Sequence, residues 1–480
     1  MRSKLFLGLL VGGVLSAASA QADVLLLAQG VLAGSSAGAN ADLSGLTGTL
    51  ENGQPANFLG GIGSGIAYAG GTTFVAVPDR GPNAVDYGAA AIDQTTSYIS
   101  RVQTIDMALT PSAGGALPFT LTPTLTGTTL LYSTTPLNYG NGGGVAGLGS
   151  GAPAQNTAGQ YYFTGRSDNY GAGDSANPAN ARFDPESIRV SPDGKSVFIS
   201  DEYGPYVRQF DRSTGALIKT YTLPGNLAAT NLSASGDAEV ADNTVGRVAN
   251  KGMEGLALTP DGKTLVGIMQ AQLEQDAGSN VLRIVTIDVA TGETHEYGYA
   301  LSDGSGVSDI VAINDHQFLV DERDGKGLGD GSKAKVKKIY EIDITGATDI
   351  TSLSGAAAAA DVVSKNATPF LDLVAALAAH GVANTQVPAK IEGVAFGQDV
   401  TYDGQTYHTL YVANDNDFLP DTSGQNQFYV FGFQDGDLAN FVPEQFSAVP
   451  EPAAWAMMLM GFFGLGGMVR ARRKTALQAV

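Results

Sequence analysis

Residues 185–201 read Pro185-Glu186-Ser187-Ile188-Arg189-Val190-Ser191-Pro192-Asp193-Gly194-Lys195-Ser196-Val197-Phe198-Ile199-Ser200-Asp201, two short apolar runs around a Pro-Asp-Gly turn. Proline fixes φ early in such a turn and glycine takes the positive φ late, so the stretch is a β-hairpin. The pattern returns at 253–268, where Thr259-Pro260-Asp261-Gly262-Lys263 joins Met253–Leu258 to Thr264–Ile268. Looser copies pair 64–68 with 73–77, 308–313 with 317–320, and 391–396 with 409–413. A further strand often follows, as at 207–211, 282–288 and 338–343. Three or four strands per recurring unit make the blade of a β-propeller, an all-β fold.

The registered positions 186, 254, 309 and 392 are 68, 55 and 83 residues apart, whereas 65 and 186 are 121 apart. The long gap has room for two steps. It predicts a diverged blade built from 119–131 and 160–163, hence six blades, with five or seven as the alternatives. Three stretches interrupt the pattern. Residues 138–158 read as a long surface loop. Residues 228–250 are polar and are expected to cover one face. Residues 369–380 space Phe370, Leu371, Val374, Leu377 and Ala378 as a helix does, predicting a short inserted helix.

The ends carry different information. Arg2 and Lys4 precede an apolar run over 5–15 and then small residues, the layout of a signal peptide over 1–22 cleaved after Ala20 or Ala22. An N-terminal extension over 23–58, the propeller over 59–433 and a linker over 434–448 follow. Val449-Pro450-Glu451-Pro452, an apolar run over 453–469 and the basic Arg470-Ala471-Arg472-Arg473-Lys474 then form a second membrane-seeking segment, 449–474. The absence of cysteine excludes disulfides and thiolate metal sites. A net charge of −20 argues against nucleic acid or an anionic membrane as partner. It also suits plain solubility, and an anionic substrate would require a bridging cation.

Strand geometry collects acids at one rim. Glu186, Glu254, Asp309 and Glu392 enter first strands, which line the axis of a propeller, and form the predicted metal set. Residues after the second strands share that rim: Asp79, Arg80, Asp201, Glu202, Tyr203, Gln270, Asp321, Glu322, Arg323, Asp324, Asn414, Asp415, Asn416 and Asp417. Oxygen donors without cysteine or clustered histidine suit calcium rather than zinc. Asp201, Glu202 and Arg323 are the catalytic candidates; Asp79, Arg80, Tyr203, Glu322, Asn414 and Asp415 are the substrate-binding candidates. In the alternative reading these acids cap turns or pair with Arg80, Arg189 and Arg323, or Arg80 and Arg323 grip a phosphate or carboxylate. Gly34-Ser35-Ser36-Ala37-Gly38 matches a hydrolase serine string but lies in a low-complexity stretch without the strand-to-helix elbow. Gly194-Lys195-Ser196 and Gly262-Lys263-Thr264 are turns rather than P-loops. His295, His316, His380 and His408 lack metal spacing.

Phe183-Asp184-Pro185-Glu186-Ser187-Ile188-Arg189, Ser200-Asp201-Glu202-Tyr203-Gly204-Pro205, Asn250-Lys251-Gly252-Met253-Glu254-Gly255-Leu256-Ala257, Asp321-Glu322-Arg323 and Ala413-Asn414-Asp415-Asn416-Asp417 occur in this order. Together they resemble the phytase-like domain of bacterial proteins described as having esterase-like activity of phytase, over about Leu59 to Phe433. The resemblance implies a secreted propeller hydrolysing phosphate or other esters, with a small-molecule ester or phosphoester as substrate. Ser187 stands where the family pattern has glycine, and the rim has fewer lysines and arginines than propeller phytases. A non-enzymatic binding or matrix propeller and a metal-dependent lactonase-like hydrolase are the alternative readings. Residues 449–474 are similar to PEP-CTERM sorting signals of Gram-negative bacteria. That likeness implies signal peptidase and exosortase processing, transient membrane anchoring, and a periplasmic, cell-surface or matrix location.

Overall fold

Each hairpin of the sequence pattern extends outward into one antiparallel sheet. The computed structural model describes residues 24–35, 41–84, 95–140, 151–444 and 446. Strand β1 (Leu25–Leu32) comes first in the chain. The first blade holds β2 (Gly65–Tyr68), β3 (Thr73–Val77), β4 (Arg101–Pro111) and β5 (Phe119–Leu130). After a two-stranded ribbon of β6 (Tyr132–Ser133) and β7 (Tyr161–Tyr162), the second blade holds β8 (Pro185–Val190), β9 (Ser196–Asp201), β10 (Tyr206–Asp211) and β11 (Leu217–Thr222). The third holds β12 (Met253–Leu258), β13 (Thr264–Met269), β14 (Val281–Asp288) and β15 (Thr294–Ala300). The fourth holds β16 (Gly306–Ala312), β17 (Gln317–Arg323) and β18 (Lys337–Asp343), with the short β19 (Ser364–Lys365) and β20 (Leu371–Asp372) at its edge. The fifth holds β21 (Ile391–Tyr402), β22 (Gln405–Asn414) and β23 (Asn426–Phe433), and takes β1 as its outermost strand.

The inner strands β2, β8, β12, β16 and β21 stand around one axis, each packed on the next and β21 on β2. Apolar side chains fill the spaces between blades. Leu27, Ile66, Phe74, Tyr411 and Val430 join the fifth blade to the first, and Phe198, Val207, Leu256, Met269 and Val285 join the second to the third. Where inner strands approach, side chains are excluded. A Cβ on Gly65 would lie 2.6 Å from Ser187 Cα, and one on Gly255 2.9 Å from Asp309 Cα.

An ion pair plugs the axis. Arg189 Nη2 donates to both Asp309 oxygens at 3.0 Å, to Ile310 O at 2.8 Å and to Val394 O at 3.2 Å. Its Nη1 donates to Ile66 O at 2.9 Å and Ile188 O at 2.6 Å. Asp309 also accepts from Ser187 Oγ at 2.8 Å and the Val394 amide at 2.9 Å. Burying two charges costs several kcal/mol each, offset only when, as here, nearly every lone pair and proton is bonded.

Five blades replace the six expected from spacing. Residues 119–130 are the outer strand of the first blade, and Tyr161–Tyr162 pairs only with Tyr132–Ser133. The 121-residue gap is taken up by two long strands of 11 and 12 residues and by the chain returning across the rim, not by a blade. Within the extension over 23–58, β1 pairs with β23 from Leu25↔Gly432 to Leu32↔Asn426 and closes the ring. Residues 225–227 form a 3₁₀ turn and α1 (Gly236–Ala241) follows it, so the polar insert lies over the rim beside the second blade. Helix α2 (Gly355–Ala359) precedes α3 (Leu373–Ala379), the inserted helix, which Asp372 caps by accepting from the Ala375 amide at 3.0 Å. The expected signal peptide, the 449–474 segment, residues 141–150 of the 138–158 loop and residues 36–38 of the Gly34–Gly38 string lie outside the described residues. Among the described residues no helix is long and apolar enough to cross a membrane.

Candidate functional site: an acidic mouth on the axis

At one end of the axis, β-bulges recur at the same height in four blades, between Pro185 and Ile188, Met253 and Gly255, Val307 and Ile310, and Ile391 and Val394. Such bulges re-aim a side chain out of the sheet. In this register Ile66, Ile188, Leu256, Ile310 and Val394 are equivalent, and the residues two before them are Ser64, Glu186, Glu254, Ser308 and Glu392. The second strands return Asp79, Glu202, Gln270, Arg323 and Asp415 to the same mouth, and the segments entering β8 and β21 add Asp184 and Lys390.

Pairing within the mouth is incomplete. Arg80 Nη1 lies 3.0 Å from Asp184 Oδ2 and 4.0 Å from Glu202 Oε2, and its amide donates to Asp184 Oδ1 at 2.9 Å. Arg323 Nη2 is 2.5 Å from Glu392 Oε1 and 3.5 Å from Glu254 Oε1, while its Nε donates to Ser308 Oγ. Lys390 Nζ is 2.7 Å from both Asp415 Oδ2 and Asp417 Oδ1. Among the described residues, eight carboxylates, Asp79, Asp184, Glu186, Glu202, Glu254, Glu392, Asp415 and Asp417, thus gather around the three cations in ion-pair distance at the mouth, Arg80, Arg323 and Lys390. Among the described residues Glu254 Oε2 and Glu392 Oε2 are buried with no hydrogen-bond partner.

Desolvation, then mutual repulsion, moves the titrations. Glu186 is held well above the usual carboxylate range by burial and by Glu254, Asp184, Glu202 and Glu392. Glu254 is raised by burial and by Glu202 and Glu392, and Asp79 by burial and Asp415. Burial and Asp184 push Glu202 up to about 7. Burial pushes Asp415 up to about 7 as well, against the pull of Lys390. Asp417 is lowered: burial raises it, but the charge and hydrogen bond of Lys390, with Arg80 and Arg323, together outweigh that.

Two triads have one oxygen per residue within 4.8 Å of one another: Asp184, Glu186 and Glu202, and Asp79, Asp415 and Asp417. Buried, oxygen-only, with unpartnered carboxylate oxygens alongside, this donor set fits a hard divalent cation of the calcium kind.

The structure separates the residues expected at the rim. Glu186, Glu254, Glu392, Asp79, Arg80, Glu202, Arg323 and Asp415 share the mouth. Asp309 does not. It stands one residue further along its strand, in register with Gly65, Ser187, Gly255 and Gly393, and so points into the axis at Arg189. The residue equivalent to the glutamates is Ser308. Asp201 is turned into the second blade, where Oδ1 accepts the Asp184 and Tyr203 amides at 3.0 Å and Oδ2 faces Arg208 across 4.0 Å. Glu322 points outward to Tyr299 Oη at 2.6 Å, the Ser302 amide and Lys365. Asn414 Oδ1 accepts the Gln427 amide at 2.6 Å within its blade. Tyr203 borders the mouth and donates its hydroxyl to Gly165 O at 2.8 Å. At Asp201, Glu322 and Asn414 alternation decides: each faces away from the mouth, and the residue after it, Glu202, Arg323 or Asp415, faces into it.

Asp184 and Lys390 were missing from the expected set. Their signal is local, since both stand two residues before a mouth glutamate, as Asp184-Pro185-Glu186 and Lys390-Ile391-Glu392. Arg182, Glu239 and Arg247, at the flank of the mouth, carry no comparable pattern in the sequence.

The chain is 28% identical over 285 residues to an uncharacterized secreted protein of Arthroderma benhamiae, covering 51% of this chain and 52% of the relative. The chain thus spans about half the length of that curated relative. Among solved structures, hydrazine synthase of Kuenenia stuttgartiensis aligns at 14% identity and a TM-score of 0.30, over 76% of this chain and 79% of that one. The PQQ-bound aldose sugar dehydrogenase of Streptomyces coelicolor aligns at 11% identity and a TM-score of 0.30, over 78% and 84%. Residues 57–418 match the family model described as phytase-like, esterase-like activity of phytase, and span the mouth from Asp79 to Asp417; the chain belongs to that phytase-like family.

Proposed function

We propose that the protein is an exported hydrolase of phosphate or other esters that works with a divalent cation, calcium, at the acidic mouth. The observation behind this reading is the excess of buried carboxylates over cations there, with Glu254 Oε2 and Glu392 Oε2 left unpartnered. Asp184, Glu186 and Glu202 would hold the cation, whose chemistry is to polarise an ester oxygen and acidify water. Glu254, of the surrounding acids, is the one with a free oxygen and a second oxygen fixed by Gln270 Nε2 at 2.8 Å, which suits it to take the water's proton. Arg323 holds Glu254 and Glu392 in place rather than touching the ester. Arg80 holds Asp184 and Glu202 in the same way. Export rests on the leader over 1–22 and on the secreted relative; anchoring and sorting through 449–474 rest on that segment's own sequence.

The test is an assay of the purified full chain on a phosphomonoester, a phosphodiester and a lactone, with calcium and with chelator. Calcium-dependent turnover of a phosphate ester and a calcium-raised melting temperature are expected. No turnover on any substrate, together with no thermal response to calcium, would overturn the reading in favour of a binding propeller.

A further inference from the structure

Beside the mouth, under the polar insert, lies a pocket of about 100 Å³ lined by Arg80, Arg182, Tyr203, Glu239, Val240 and Arg247 among others. Its chemistry is opposite to that of the mouth. Arg182 is 2% exposed and stacks between the rings of Tyr170 and Tyr203, 4.9 and 5.1 Å from their centroids. Its Nη1 lies 3.6 Å from Glu239 Oε2 and donates to Ser167 O at 3.4 Å, but among the described residues its Nε and Nη2 have no hydrogen-bond partner. Arg247, also 2% exposed, pairs Nη2 with Glu239 Oε1 at 2.6 Å and donates from Nε to Tyr203 O at 2.9 Å, and among the described residues its Nη1 has no hydrogen-bond partner. Among the described residues Glu239 is thus the carboxylate within ion-pair distance of both buried guanidinium groups. Unsatisfied guanidinium N–H groups in a closed site are costly, and an oxyanion with several lone pairs is the ligand that satisfies them best.

We infer that this pocket is a subsite for an anionic oxygen group, phosphate or carboxylate, carried by the substrate a few ångströms from its scissile bond. The inference rests on the hydrolase reading above and narrows it to esters bearing a second anionic group. Continuity between the sites supports it. Arg80 lines the pocket and also lies against Asp184 and Glu202 of the first triad, and Tyr203 forms the wall between them. An anion seated on Arg182 and Arg247 directs the rest of the molecule past Arg80 to the carboxylates that would hold the cation. Residues 228–250 then have a role in addition to cover: Arg247 and Glu239 belong to the insert, so the insert builds half of the subsite.

Binding of inorganic phosphate and of acetate to the purified full chain, measured by calorimetry in chelator, tests the pocket without turnover or calcium. Val240, 37% exposed at the pocket edge, can be changed without disturbing the core. Val240→Glu places a repelling carboxylate there and is expected to weaken phosphate binding about tenfold. Asp237→Asn, which removes an exposed carboxylate from the same lining, is expected to tighten it about threefold. Tighter binding of phosphate than acetate assigns the subsite to phosphorylated esters, and the reverse to carboxylated ones. No binding of either anion, or equal binding by the wild type and both variants, would overturn the inference while leaving the calcium reading to its own assay.

Discussion

Ser187 occupies the position that is glycine in three of the other four blades and Asp309 in the remaining one. Its hydroxyl donates to Asp309, so the departure from the family's glycine belongs to the axial plug and not to the mouth. Ser187→Gly is expected to cost about 1 kcal/mol in urea unfolding, the value of one buried hydrogen bond. Asp309→Ala is expected to cost about 3–5 kcal/mol, since it leaves the Arg189 guanidinium buried without its charge partner. Glu186→Gln has the opposite sign at the mouth. Removing a carboxylate that its neighbours repel should raise the melting temperature in chelator and shrink the calcium-induced rise, both readable by calorimetry.

At the scale of elements, the Pro-Asp-Gly turns do more than reverse the chain. Gly262 has φ +72° and a Cβ there would lie 2.5 Å from Pro192 Cγ, so the third blade's turn packs on the second's. Gly292, in the turn between β14 and β15, has φ +81° with nothing within 4 Å. Gly292→Ala should cost about 1 kcal/mol through backbone strain alone, and Gly262→Ala distinctly more, a difference measurable by chemical denaturation. The hairpins themselves were legible because alternation and turn chemistry are local. The blade count was not, because a long strand and an extra blade consume chain equally.

Across the whole molecule, buried acids with raised titration points set how stability follows pH. Asp201 is pushed up to about 6 by burial, Asp415 up to about 7 by burial against Lys390, and Asp321 up to about 8 by burial against Arg323 and Lys337. A raised acid binds more protons folded than unfolded, so stability falls as pH rises from the ordinary carboxylate range through these values. Calcium-free protein should therefore lose melting temperature between about pH 5 and 8. A bound cation stabilises the charged form of its ligands, so calcium should flatten that decline if it binds the mouth. Thermal scans across pH with chelator and with calcium check both arms.

The sequence by itself determined the hairpins, the all-β propeller, an inserted helix within 369–380 and three of the four acidic entries to the mouth, because each is written in strand or helix periodicity, turn residues or short spacing. Only the tertiary structure decided that the ring closes at five blades through β1, that Asp309 faces Arg189 on the axis, and that Arg182 and Arg247 meet beside the mouth. Each depends on contacts made between segments distant in the chain or on a local register shift. A bulge shifts a side chain by one residue and from one face to another, and ring closure joins segments hundreds of residues apart, so neither leaves a local mark.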